Sequence, residues 1–116
     1  AQVTQVGLDA GQARGGQRAE AERSLARAYE LDAGNPVTGF NLANLLYQRG
    51  EYQRAQFYIR RLNNSELANA ETLWLGIRVE RRMNDRVAMG QLAEQLKKRF
   101  PQSKEVAALE RGAFDE

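Results

Sequence analysis

The sequence contains neither cysteine nor histidine. Their absence excludes cysteine–histidine nucleophiles, zinc sites built from thiolates or imidazoles, and acid–base catalysis by histidine. Carboxylates are present, but no spacing brings two of them into the enclosed apolar pocket that carboxylate catalysis requires. The loops at Asp9, Asp32 and Asp85 lack the ligand spacing of a calcium loop. The sequence therefore predicts a protein that is not an enzyme and that uses no metal or cofactor.

Long apolar runs and an excess of one charge are also missing. No apolar run approaches the ~20 residues that a membrane-spanning helix needs, and no signal-peptide pattern is present. If the protein is exported, we expect its export signal to lie outside these residues. The net charge of +2, from 17 basic and 15 acidic residues, gives no reason to expect a nucleic-acid partner. With 42% apolar residues the chain can form one folded domain over residues 1–116.

The residues that are present show a regular period along the chain. Gly16, Gly50 and Asn84 follow one another at a constant step of 34 in sequence number (50 − 16 and 84 − 50), and each residue type can adopt the left-handed backbone of a tight turn. After each of these positions the same step places three apolar columns, spaced by four and then three, on one helical face. The columns are Ala21, Ala55 and Met89, then Leu25, Ile59 and Ala93, then Ala28, Leu62 and Leu96.

Helix boundaries follow from capping signals. Asn35 before Pro36 predicts an N-cap followed by the first helical residue, and Asp85 and Ser103 are further candidate N-caps. Ser103 would begin a capping helix over residues 103–114, with Val106, Leu109 and Ala113 inward. The charged residues Lys104, Glu105, Glu110 and Arg111 of that helix are expected to face water.

A helical hairpin that repeats at this period resembles the tetratricopeptide repeat, or TPR. The resemblance rests on Leu42-Ala43, Leu46-Tyr47, Gly50, Tyr52, and Ala55 with Ile59. It implies an all-α fold: a right-handed superhelix of antiparallel helix pairs, with approximate repeats at 2–35, 36–68 and 69–102, ended by the capping helix. Leu75-Gly76 follows Leu42-Ala43 at a step of 33 (75 − 42), which indicates one extra residue in the third hairpin. The first hairpin is the weakest, with Val3, Val6 and Ala10 as its stripe, and its opening helix is expected to fray.

The same resemblance implies a concave, partner-binding face on the first helix of each pair. In the second hairpin this face would carry Phe40, Asn44, Tyr47 and Gln48, and in the third Leu73, Ile77 and Arg81. Two alternatives remain open. Phe40 and Tyr47 could be packing residues beside solvated asparagines, and Leu73, Trp74 and Ile77 could be either core or an apolar partner surface. The basic clusters, such as Arg60-Arg61, are expected to be solvated.

Residues 69–103 resemble a narrower family, the type IV pilus biogenesis/stability lipoproteins, or pilotins (PilF/PilW). The residues that carry this resemblance are Leu73, Leu75-Gly76-Ile77-Arg78, Asp85-Arg86, Gln95-Leu96 and Phe100-Pro101-Gln102-Ser103. The segment 41–58 is similar to the preceding repeat of that family. Members are periplasmic, anchored to the outer membrane by a lipid, and assist the localisation or multimerisation of the secretin.

The resemblance implies that this chain is the C-terminal half of such a lipoprotein. Its expected function is a non-catalytic scaffold for type IV pilus assembly, with a secretin subunit or another pilus-assembly component as partner. It would lie at the periplasmic face of the outer membrane, held by a lipid anchor not present in this chain. The alternative is a TPR adaptor in another envelope or cytosolic assembly.

Overall fold

The fold is all-α, as predicted. This computed structural model describes the backbone of residues 10–114 and the side chains of residues 17–114, and within that range it has six helices and no strand. None of the described helices combines the length and the apolar character that crossing a membrane requires. The helices are α1 (Ala10–Leu31), α2 (Pro36–Gln48), α3 (Tyr52–Asn63), α4 (Ala70–Arg82), α5 (Arg86–Arg99) and α6 (Lys104–Arg111).

The two inter-helix turns predicted at Gly50 and Asn84 are confirmed. Gly50 has φ +83° and Asn84 has φ +61°, so both adopt the left-handed conformation. The residue after each turn donates its amide back to the preceding helix: Glu51 N to Leu46 O at 2.8 Å, and Asp85 N to Glu80 O at 2.9 Å. These bonds satisfy carbonyl groups that the end of a helix would otherwise leave unpaired. Each turn therefore reverses the chain into an antiparallel partner helix.

Side-chain caps begin the first helix of each pair at regular intervals. Asn35 accepts hydrogen bonds from the amides of Val37 and Thr38 at 3.0 and 3.4 Å, and Ser103 accepts one from Val106 at 3.2 Å. Between them Asn69, which sequence reasoning missed, forms a capping box with Thr72. The caps are evenly spaced (69 − 35 and 103 − 69 both give 34). The capping helix α6 therefore starts where the first helix of a further repeat would start.

The extra residue predicted in the third hairpin is absent. The first residues of α2 and α4 differ in number by 34 (70 − 36), and so do their last residues (82 − 48). The period of 34 therefore continues without interruption. Aligning Leu75-Gly76 with Leu42-Ala43 shifts the predicted register of α4 by one residue from the observed one.

Two apolar clusters hold the helices together, and α4 contributes to both. Leu75 and Val79 of α4 pack with α2 and α3, while Leu73 and Ile77 of the same helix pack with α5 and α6. A helix that is apolar on more than one side is expected to be enclosed by neighbours. The fully buried side chains of the first cluster also include Leu42, Ala43, Leu46, Ala55 and Ile59.

The first predicted hairpin takes a different form in the structure. α1 is continuous from Ala10 to Leu31 and passes through Gly16, where the sequence predicts a turn. Glycine permits a left-handed residue but does not impose one. The predicted stripe residues Val3 and Val6 lie outside the described residues. α1 packs against α2, with Leu25 and Ala28 half-buried and Ala21 exposed.

The predicted capping helix is present, with one correction. α6 ends at Arg111, where Gly112 adopts a left-handed conformation with φ +69°. Val106 is buried as predicted, but Glu105, which the sequence places toward water, is only 7% exposed. α6 contacts both α4 and α5, so more than one of its sides is covered.

Candidate partner-binding groove

A groove is lined by side chains of α2, α4 and the capping helix α6. Its cavity has a volume of about 350 Å³. We call this cavity the groove and define it by its lining residues. These residues are Phe40, Glu71, Trp74, Arg78, Lys104, Glu105, Ala108 and Arg111.

The residues predicted on α2 lie along one face that leads from this groove. Phe40 lines the groove directly, and Asn44 and Tyr47 follow it at steps of four and seven, which keeps them on the same side of the helix. All three are half-buried, whereas Gln48 is exposed. Phe40 and Tyr47 also pack against the apolar core, so each has a structural role beside the predicted one. Their role in partner binding stays a prediction.

Leu73 and Ile77 do not belong to an exposed groove surface, which corrects the sequence prediction. Both side chains are fully buried in the core shared with α5 and α6. The reason is the one-residue error in register: with the true period of 34 they correspond to Gly39 and Ala43 (39 + 34 and 43 + 34), which are also buried. Of the three residues predicted on α4, Arg81 alone is exposed.

The true counterparts of Phe40, Asn44 and Tyr47 are Trp74, Arg78 and Arg81 (40 + 34, 44 + 34 and 47 + 34). Trp74 and Arg78 line the groove. The sequence leaves Trp74 open as core or partner surface and does not assign Arg78 to the partner-binding face. The spacing of Asn35 and Asn69, two asparagines that each precede a helix, is the sequence signal that could have found them.

Arg78 is held by aromatic rings. Its guanidinium carbon lies 5.2 Å from the ring centre of Tyr47 and 5.9 Å from that of Trp74, distances that allow cation–π attraction. Within the described part of the chain Arg78 makes no hydrogen bond or ion pair, and its Nε atom is buried without an acceptor. By contrast, Arg54 and Arg60 both donate to carboxylates. Arg78 is therefore fixed in orientation while its donors are unused.

Phe114 covers the neighbouring part of α4. Its ring stacks on Trp74 with centroids 5.5 Å apart and an angle of 20° between the rings. The guanidinium carbon of Arg81 lies 4.9 Å from the centre of the Phe114 ring. Trp74 is consequently only 8% exposed. The segment after α6 thus folds back over the groove-facing side of α4 and engages the predicted site residue Arg81.

The groove has the composition of a binding surface. It offers two aromatic side chains, three basic residues and two acidic residues. In the part of the chain that the structure describes, no cluster of carboxylates is arranged to hold a metal ion. Aromatic and arginine side chains are the residue types that contribute most to protein–protein interfaces. The geometry therefore favours recognition of another polypeptide.

Comparisons with known proteins agree with this geometry. A family model described as "Tetratricopeptide repeat" matches residues 13–72, just over half of the 116 residues. The curated protein "Type IV pilus assembly protein PilF" of Pseudomonas aeruginosa is 31% identical over 87 residues, which cover 75% of this chain and 34% of the relative. The chain thus spans about a third of that protein's length.

A solved structure, described as "Functional Characterization of Pseudomonas Aeruginosa pilF", is similar in fold as well. It superimposes with a TM-score of 0.72 at 27% sequence identity. The similarity covers 86% of this chain and 45% of the solved chain.

Proposed function

Since the chain belongs to the tetratricopeptide-repeat family, we propose that it is a non-catalytic scaffold in type IV pilus assembly that binds a segment of another assembly protein along its groove. The partner is a secretin subunit or another pilus-assembly component. The protein assists secretin assembly or localisation at the periplasmic face of the outer membrane.

The similarity to PilF is the observation that carries this proposal. It extends over 75% of the chain, and the folds superimpose over 86% of it. Any stretch of 87 residues in this chain includes α2 and α4, so the similarity includes the two helices that contribute Phe40, Trp74 and Arg78 to the groove.

The groove supports the same proposal physically. Its walls belong to helices fixed by side-chain caps and a shared core, so little conformational entropy is lost when a partner binds. Phe40 presents aromatic surface, and Arg78 and Lys104 present positive charge. A partner segment bound there in extended or helical form would use its side chains for specificity.

A pull-down with the full-length protein tests the proposal. The protein is expressed in cells that carry a type IV pilus system, and retained secretin is measured with an antibody. Phe40→Leu changes an aromatic residue of the groove, and Phe57→Leu is the matched control because Phe57 is 60% exposed on α3 and does not line the groove.

We expect the wild type and Phe57→Leu to retain the secretin and Phe40→Leu to retain less. Thermal melts of both variants establish that they remain folded. If the wild type retains no secretin but retains proteins of a different envelope or cytosolic assembly, the pilus role is wrong and the alternative TPR adaptor replaces it.

A further inference from the structure

Arg78 is a cation with unused donors at the wall of a cavity. Its guanidinium is oriented by Tyr47 and Trp74, and its Nε atom is buried without an acceptor. A buried donor without a partner costs free energy. Planar guanidinium groups match carboxylates in geometry as well as in charge. The wall at Arg78 is therefore suited to an incoming carboxylate.

The surrounding charges favour a single negative charge. Lys104 and Arg111 line the same groove as Arg78, but Glu71 and Glu105 line it too. Glu71 and Glu105 repel a doubly charged phosphate more strongly than a singly charged carboxylate. The groove thus fits an aspartate or glutamate side chain better than a phosphorylated residue.

A second cavity adjoins the groove. It has a volume of about 380 Å³, shares Phe40 and Glu71 with the groove, and is also lined by Val37 and Leu67. Val37 is 64% exposed and Leu67 is 50% exposed, so two large apolar side chains face solvent at this place. Exposed apolar surface beside a cavity is a feature of binding sites.

We propose that the two cavities form one site for an extended acidic–apolar segment of a partner protein. An aspartate or glutamate side chain pairs with Arg78, and a neighbouring apolar side chain lies between Val37 and Leu67. Phe40 forms the wall common to both positions. The inference rests on the proposed function, because it names the kind of segment that the scaffold's groove binds.

Synthetic peptides test the site directly. The probes are short peptides with blocked ends that carry one aspartate and one leucine at several spacings, each with a partner peptide in which asparagine replaces aspartate. Blocked ends exclude binding through a terminal carboxylate. Trp74, the single tryptophan of the sequence, lines the groove, so its fluorescence reports binding.

At the best spacing we expect the aspartate peptide to bind roughly tenfold more tightly than its asparagine partner, because a charge-assisted hydrogen bond is lost. Added salt should reduce that difference. Arg78→Gln should abolish it, and Arg78→Lys should restore only part of it, since lysine lacks the planar fork. Arg86→Gln is the charge-matched control outside both cavities and should keep the full difference.

The apolar position is tested separately. Val37→Ser should weaken binding of the leucine peptide, and Val87→Ser, which changes a 73% exposed valine outside both cavities, should not. Circular dichroism melts confirm that every variant is folded.

Three results would overturn the inference: no peptide binds, aspartate and asparagine peptides bind equally, or Arg78→Gln retains the preference. The same peptides with free C-termini are measured beside the blocked ones, and binding by the free-ended set alone would overturn the assignment to a side chain. These outcomes are independent of the pull-down. If the protein prefers acidic peptides but retains no secretin, the proposed site is supported and the pilus role is wrong. If it retains the secretin but shows no preference for acidic peptides, the pilus role is supported and the acidic–apolar specificity is wrong.

Discussion

The Nε atom of Arg60 lies 2.6 Å from Oε2 of Glu80, joining the second helix of one pair to the first helix of the next. Glu80 is fully buried, and its other oxygen accepts hydrogen bonds from Gln56 at 2.8 Å and from Arg60 Nη2 at 3.0 Å. Arg60 also donates to Asp85, which caps α5. With the period of 34, Glu80 is the counterpart of the core residue Leu46 (46 + 34), so a buried carboxylate replaces a leucine in this repeat.

Glu80→Ala should therefore destabilise the fold. The substitution leaves a cavity and removes the two carboxylate oxygens of Glu80 that accept from Arg60 and Gln56, although Arg60 is 46% exposed and can turn to water. We expect a loss of about 2 kcal/mol in the free energy of unfolding, measured by urea denaturation. Glu80→Leu, which restores the leucine of the preceding repeat, should lose less. If the alanine variant unfolds at the same urea concentration as the wild type, the buried pair is not stabilising.

The charge of Arg60 should not make this interface sensitive to pH in the ordinary range. The pKa of Arg60 is raised, mainly by the hydrogen bond that Arg60 donates to Glu80. The negative charge of Glu80 and the interaction with Asp85 raise it further, whereas burial lowers it. A cation whose pKa is raised by folding contributes stability that is complete below its pKa in the unfolded chain and is lost above its pKa in the folded protein. Both values lie far above neutrality for arginine. The effect of Arg60→Gln on the melting temperature should thus be equal at neutral and mildly alkaline pH, and a marked difference between the two would contradict this.

Local signals explain which features could be predicted from the sequence. Gly50, Asn84, Asn35 and Ser103 act within a few residues of their own position, through φ or through a side-chain cap. The residue type therefore indicates the structure. Gly16 shows the limit of the same reasoning, because a glycine is compatible with both a turn and a helix.

The site depended on information that is not local. Predicting which residues of α4 line the groove required the correct register of that helix. The pair Leu75-Gly76 imitates the motif one residue away from its true position, so the buried residues Leu73 and Ile77 were wrongly assigned to the groove. The orientation of Arg78, with its donors unused, follows from its contact with Tyr47, which lies on the first helix of the preceding pair. Neither feature can be obtained from the spacing of residues in one segment.

Gly76 is required where α3 approaches α4. A Cβ atom added at Gly76 would lie 2.5 Å from Asn63 Nδ2 and 3.1 Å from Leu92 Cδ1. Asn63 cannot move freely, since it is buried and donates to Thr72 O at 3.0 Å. Gly76→Ala should therefore cost about 1–3 kcal/mol through overpacking, which exceeds the helical preference for alanine.

Gly90→Ala provides the matched control in α5. Apart from the adjacent residues and the backbone of its own helix, no atom lies within 4 Å of a Cβ atom built at Gly90. This substitution should stabilise the protein by about 0.5–1 kcal/mol, because alanine favours the helix. Parallel urea titrations of the two variants should shift the midpoint in opposite directions. Equal shifts would mean that the close contact between Asn63 and Gly76 does not constrain the helix pair.

Removal of the Phe114 ring should expose Trp74. Phe114→Ala eliminates the stacked ring and the contact with Arg81, so the indole becomes accessible to water and the capping segment loses an anchor worth about 1 kcal/mol. Because Trp74 is the single tryptophan, its emission should shift to longer wavelength and be quenched more strongly by acrylamide. Phe57→Ala, an aromatic deletion on α3 that touches Tyr58, should change neither signal. Unchanged emission in Phe114→Ala would show that the segment after α6 does not cover Trp74 in solution. The groove would then be more accessible at α4 than it is in the structure.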